Sequence, residues 1–255
     1  MIEQDLKQQL KDKPKIELTE SMLNHIGSTD PELRDGLIYP QFVTFILENK
    51  YSKKEIENIL DRCLNNLKSD NVYERSFSVL VIAVILHQHQ FNSQKLSTIT
   101  TCLTLYITQE TNIVGQVEDE GWVHSIAHGA DAISEIAKQP HLTNNDLEKL
   151  FHVLNEKMHY DQGVFTADED ERVAVAVNTM LVNGLNNEVF IKAIQQVKTD
   201  LVNQMATGNQ LYFNSRMNYK AFLRSLYFIK KEKDDHQELN QFIERTIIEI
   251  SQIYY

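Results

Sequence analysis

Very little in this sequence interrupts a helix. Of 255 residues only eight are glycine and four are proline, and no proline follows Pro140. No Asn-Gly or Asp-Gly pair lies between alternating strands, because Asp35-Gly36 and Asn183-Gly184 fall within or just after helical patterns. Helix is therefore expected almost everywhere. Cysteine is scarce too. Cys63 and Cys102 both sit inside apolar helical patterns, which excludes a disulfide scaffold and fits buried free thiols in a reducing, cytoplasmic setting. The longest apolar run, Val79 to Leu86, has eight residues. A bilayer span needs ~20, so no membrane segment is expected. The opening residues Met1 to Lys7 contain no apolar segment, and no signal peptide is expected. Basic residues number 25 against 36 acidic ones, a net charge of -11. Such a surface repels phosphate backbones, which argues against nucleic acid as a partner. The sequence also lacks a glycine-rich phosphate loop, a Cys-x-x-Cys pair and a nucleophile elbow.

What is present repeats. After a cap over residues 1–50, amphipathic helices carry apolar residues at i, i+3/i+4 and i+7. They begin at Ile56, Leu96, Leu147 and Phe190. Between them lie more apolar helices, expected at 73–88, 121–138, 168–183 and 211–230. Taking Arg75, Gly121, Arg172 and Arg216 as equivalent heads, the steps are 46, 51 and 44 residues. Helix pairs of the HEAT and armadillo kind repeat at roughly 40–47 residues. A lone pair cannot bury its apolar face, whereas a stack can. The fold class expected is all-α, an α-α superhelix of such pairs. Residues 51–255 form the repeats, continuous with the cap as one domain, and the more apolar helices line the concave side. Asp168 with Glu171 reads as a capping-box-like start. Ser28-Thr-Asp-Pro-Glu32 reads as a strong helix start, with Pro40 as a kink or break.

Chemistry concentrates in one stretch, Glu118 to Glu135. Coiled as a helix, it places His124, His128, Asp131 and Glu135 within roughly 60° of one another. Trp122, Ile126, Ile133 and Ile136 fall on the opposite, packing side. Aligned on the helix heads, the positions of His124, His128 and Asp131 match Ser78, Ile82 and Ile85 before and Val175, Thr179 and Val182 after. Imidazoles and a carboxylate thus replace mostly apolar residues, and they need water, a polar pocket, a ligand, or a structural network in which the histidines bond Asp131, Glu135 and the opening charges of adjacent helices. Histidines at i and i+4 suit a divalent metal, with Asp131 as third ligand or orienting partner. Ser125 stands where the zincin motif has its glutamate. Arg75, Glu118, Asp119, Asp170 and Arg172 should form a charged ladder along one rim, bridging successive repeats. The cluster of Tyr212, Phe213, Tyr219, Phe222, Tyr227 and Phe228 has the spacing of a core.

Four runs together resemble a known family: Ser28 to Asp35, Glu74 to Ser78, Gly121-Trp-Val-His124-Ser-Ile-Ala-His128-Gly-Ala-Asp131, and Asp168 to Arg172. The sequence is similar to the bacterial domain of unknown function 2785, from about residue 20 to about 230. The resemblance implies an α-α superhelix and brings no assigned activity.

Two functions follow as expectations. One is an interaction scaffold that holds a protein or peptide in its concave groove, a basic partner being favoured by the net charge. The other is a small-ligand or metal-binding protein, or a hydrolase, with its site at His124, His128 and Asp131 and with Arg75, Asp170 and Arg172 converging on it.

Overall fold

The computed structural model describes residues 1–12, 16–232 and 237–252. They are almost wholly helical. The chain opens with α1 (Glu3–Asp12) and α2 (Thr19–Asn24), followed by α3 (Pro31–Leu33). Asp30 caps α3 by accepting from the backbone N–H groups of Glu32 and Leu33, as the Asp-Pro-Glu start requires. A π-helical turn, Arg34–Ile38, then leads straight into α4 (Tyr39–Leu47). Pro40 is the second residue of α4, directly after the π-helical turn, so the chain stays helical from Pro31 to Leu47 and the distortion, not a break, lies next to the residue that lacks an N–H.

Eight further helices and a small hairpin precede the last one. They are α5 (Lys53–Asn66), α6 (Val72–Gln88), α7 (Ser93–Gln109), β1 (Gln116–Val117), β2 (Gly121–Trp122), α8 (Ser125–Ile136), α9 (Asn144–Met158), α10 (Glu169–Val182), α11 (Asn187–Gln204) and α12 (Gln210–Glu232). The last is α13 (Gln237–Gln252). Lys230 to Glu232 belong to α12, and the rest of the charged link before α13, like Ile253, lies outside the described residues.

The helices pack in two layers. In one, α4, α6, α8, α10 and α12 lie side by side. In the other, α7, α9, α11 and α13 follow in order, while α5 packs on α6. Each more apolar helix is covered by its amphipathic neighbour: α7 on α8, α9 on α10, α11 on α12. The α6, α8 and α10 axes run parallel, because contacts advance together along them. Ser76 meets His128 and His87 meets Glu135, while Asp131 meets Arg172 and Ser134 meets Thr179. The interior between the layers holds a hydrophobic core that includes residues from Leu6 to Ile250.

One expectation fails at the centre. Residues 121–138 do not form a single helix. Residues 116–122 pair as an antiparallel hairpin, Gln116 opposite Trp122 and Val117 opposite Gly121, and α8 begins only at Ser125. The turn is acidic, with Asp119 in the left-handed region at φ 65 and the Glu120 N–H bonded to the Val117 carbonyl at 3.2 Å. Gly121 is required twice over. Its φ is +77, and a Cβ there would come within 2.8 Å of both Asp35 Oδ2 and Pro31 Cβ.

This gives a stability test. Gly121→Ala should lower unfolding free energy by about 1–3 kcal/mol through left-handed strain and overpacking. Gly36→Ala, where a Cβ meets only Pro31 O at 4.0 Å, should be neutral or stabilise by up to about 1 kcal/mol. Urea titration of both variants checks the pair, and equal effects would contradict the docking of the hairpin described here.

Candidate functional site

The site is built where the hairpin meets the helix layer, and Arg34 holds the two together. Arg34 is fully buried. Its Nη1 donates to the Ser28 carbonyl at 2.6 Å, and Nη2 donates to the Glu120 and Trp122 carbonyls at 2.6 and 3.3 Å. The guanidinium lies 4.1 Å from the Tyr73 ring centroid and 4.8 Å from that of Phe77, both on α6. Nε approaches Asp35 Oδ1 to 2.7 Å, a charge contact whose angle falls outside hydrogen-bond geometry. Asp35 Oδ2 accepts from the Trp122 N–H at 3.3 Å. Burial pushes the Asp35 carboxyl up, and Arg34 opposes the shift. These two residues pair within the N-terminal cap and also reach the hairpin more than eighty residues away. The sequence holds no signal for that second contact.

With the hairpin in place, the two histidine rings meet edge to face, 5.8 Å between centroids, but in unlike surroundings. His124 is the residue before α8, in the left-handed region at φ 45, a conformation costing about 1–2 kcal/mol for a non-glycine residue. Its ring tilts over Trp122 at 4.3 Å between centroids. Trp122 is 43% exposed and is not core. His124 Nε2 lies 3.9 Å from Oε1 of the buried Glu169. A Cβ on Gly115 would stand 3.1 Å from that oxygen and 2.1 Å from Ala167 Cβ, so only glycine lets the two loops close. Asp168, also left-handed at φ 61, makes no capping bond to α10. The expected capping box is absent, and the backbone at Asp168 lacks the extended conformation that a capping side chain ordinarily has.

His128 is buried against Phe77, with its Nδ1 2.7 Å from Ser76 Oγ. Ser76 also bonds to the Val123 carbonyl. A carbonyl only accepts and a hydroxyl has one proton, so Ser76 donates to Val123 and His128 Nδ1–H donates to Ser76. The pair is therefore wired in the opposite sense to a serine nucleophile and its base. Burial, then the neighbouring His124 and Arg172, hold the His128 imidazole down to about 3. Asp131 instead faces outward and takes two bonds from Arg172, at Nε (2.8 Å) and Nη2. Burial raises the Asp131 carboxyl against the pull of Arg172, while burial and then Asp131 raise the Tyr39 phenol.

His124, His128 and Asp131 thus form no common metal-ligand set. Among the described residues no three His, Cys, Asp or Glu side chains are grouped to hold a metal ion. Arg75 and Asp170 do not join them. Arg75 grips the buried Glu110 through two bonds, at 2.8 and 3.0 Å, and Asp170 accepts from Ser225 Oγ at 2.7 Å. Glu118 and Asp119 are exposed in the hairpin turn. The expected ladder is instead a set of separate bridges between neighbouring elements.

A groove of about 370 Å³ opens on the free side of α4, α6, α8 and α10, lined among others by Tyr39, Leu80, Val84, Asp131, Arg172 and Val175. Each helix contributes the same pattern of partly or fully exposed positions, at i, i+4 and i+7 or close to it. They are Tyr39, Val43 and Leu47; Leu80, Val84 and His87; Asp131, Glu135 and Lys138; and Val175, Thr179 and Val182. The residue level with Asp131 is therefore Leu80 before and Val175 after, a correction to the alignment read from the helix heads. That alignment slips because α8 starts four residues later than Gly121.

The buried imidazole gives a pH test. His128 binds its proton far more weakly folded than unfolded, where histidine titrates near 6.5. Between about 3 and 6.5 the unfolded chain binds more protons, so stability should fall as pH falls below 6.5. The slope from this residue approaches about 1.4 kcal/mol per pH unit. His128→Asn should flatten that acid limb, and an NMR titration of His128 centred near 6.5 would contradict the burial.

A family model described as a protein of unknown function (DUF2785) matches residues 60–228. The match takes in the hairpin, both histidines and most of the groove, and it starts later than the resemblance in sequence suggested. Comparison with curated proteins and with solved structures finds no match. By the extent of the family match, the chain belongs to the DUF2785 family of proteins of unknown function.

Proposed function

We propose that this protein is a binding module. In this reading its helix pairs stack as a HEAT-like α-α superhelix, continuous from the cap onward, and the ribbon across its concave side receives an extended segment of a partner protein. The observation that carries it is the repetition of one uncovered strip on successive parallel helices. Apolar side chains stay open to solvent along it, Leu47 at 42% and Val175 at 45%. Contiguous exposed apolar surface with a polar border marks interaction sites more often than chance. The groove itself is close to charge balance, since Asp131 faces Arg172 and Glu135 contacts Lys138 and His87. Among the described residues no helix is long and apolar enough to cross a membrane.

A polar small ligand is the second reading, favoured by the meeting of Tyr39, Asp131 and Arg172 in the groove. The two readings separate by mutation. A small ligand needs those three side chains, whereas a peptide also needs the apolar strip. Screening a random displayed peptide library against the purified protein should enrich sequences whose affinity falls about tenfold with Val175→Asp, with the melting temperature unchanged. Failure to enrich any peptide, or enrichment indifferent to both Val175→Asp and Val84→Asp, would overturn the ribbon reading.

A further inference from the structure

The ribbon has an end whose charge opposes that of the protein as a whole. Net charge is -11, yet α12 carries Arg216, Lys220, Arg224, Lys230 and Lys231 with one acid, Glu232, at its last position. Arg216 is spent inside the fold, its Nε and Nη2 donating to the Ile250 and Ser251 carbonyls at 3.1 and 3.3 Å. Exposed and half-buried side chains of one face line up. Met217, Ala221, Arg224 and Phe228 stand at i, i+4, i+7 and i+11, within ~60° of one another on the helix. Lys220 and Lys231 lie within ~80° of the same strip. Met217 is 53% exposed and Phe228 66%, and from Met217 to Lys231 the sequence of α12 contains no carboxylate.

This strip adjoins the ribbon. Ser225 on the flank of α12 bonds to Asp170 on α10, and Asn218, two turns earlier, bonds to the carbonyls of Tyr160 and Gly163 in the loop before α10. Both contacts advance in the same direction, so α12 runs parallel to α10. One turn beyond the Ser225–Asp170 bond, Phe228 comes level with the start of the strip of Val175, Thr179 and Val182. The cations there repel one another: burial, then Arg216 and Arg224, draw the Lys220 ammonium below its usual range.

We infer that the α12 strip docks an acidic segment of a partner protein, with Phe228 and Met217 taking its apolar side chains and Lys220, Arg224 and Lys231 its carboxylates. The inference rests on the ribbon reading and specifies its partner. It runs against the basic partner that total charge alone favours, because association is governed by the local field at the docking surface. The strip from Met217 to Phe228 is ~16 Å long at 1.5 Å per residue. That length matches about five residues of an extended peptide, enough for alternating apolar and acidic positions.

The test uses the full chain and a fluorescein-labelled peptide, Asp-Glu-Phe-Asp-Leu-Glu-Leu-Asp, followed by fluorescence polarisation. The same peptide with lysine at every acidic position and phosphatidylserine vesicles serve as comparison ligands. The acidic peptide should bind, weaken as salt rises, and lose about tenfold in affinity with Arg224→Glu and again with Phe228→Ala. Both sites are exposed, so circular dichroism and melting should be unchanged. Absence of binding by the acidic peptide, equal or tighter binding of the lysine peptide, or preferential binding to the vesicles would overturn the proposal. Library peptides that depend on Val175 but not on Arg224 would overturn it while leaving the ribbon reading standing.

Discussion

Arg34 is the constraint on which the centre of this molecule depends. A guanidinium taken out of water costs several kcal/mol unless its donors and charge are met. Here they are met by three carbonyls, the Asp35 carboxylate and the faces of Tyr73 and Phe77. Two of those carbonyls belong to the hairpin at Glu120 and Trp122. Removing the hairpin would strand a buried charge, so the hairpin is held against the junction of α3 and α4 by the cost of leaving.

From that fixed point six positions of the run Gly121 to Asp131 acquire a reason. Gly121 allows the hairpin to touch Pro31 and Asp35. Trp122 covers His124, whose left-handed backbone turns the chain into α8. His128, one turn on, is drawn into the core by Ser76 and Phe77. Gly129 lets α8 close on α7, since a Cβ there would stand 2.5 Å from Ile107 Cδ1 and 3.0 Å from Tyr106. Asp131 is the first of the run to reach the groove, where it meets Arg172. Much of the run is therefore architecture, and it sets which side chain of α8 faces the groove.

How much of this was legible follows from the range of the interactions. Helices with local signatures could be read directly: the Asp30-Pro31 start and the apolar spacing of α5, α7, α9 and α11 all act within four or five residues. The core aromatics Tyr212, Tyr219 and Phe222 were readable for the same reason, although Phe228 of that cluster is exposed. The hairpin was not readable. Its strands are two residues each, its turn contains no Asn-Gly, and its partner Arg34 lies far off in the chain. Treating Gly121 as the head of a helix then shifted the alignment, so that the histidines were placed in the groove, Leu80 was missed and Val175 was matched to His124 instead of Asp131. Glu169 and Gly115 carry no pattern at all, because their closeness arises only when two loops meet.

Acidic total charge, a near-neutral groove and a basic strip on α12 coexist because charge is distributed unevenly from helix to helix. The whole account assumes that the hairpin clamp sets the start and register of α8. Hydrogen exchange of Arg34→Met, followed by mass spectrometry, tests that assumption most directly. Amides of residues 116–124 and the first turn of α8 should lose protection while those of α11 to α13 remain as in the parent protein. Wild-type protection across the hairpin, or an even loss over every helix, would contradict it.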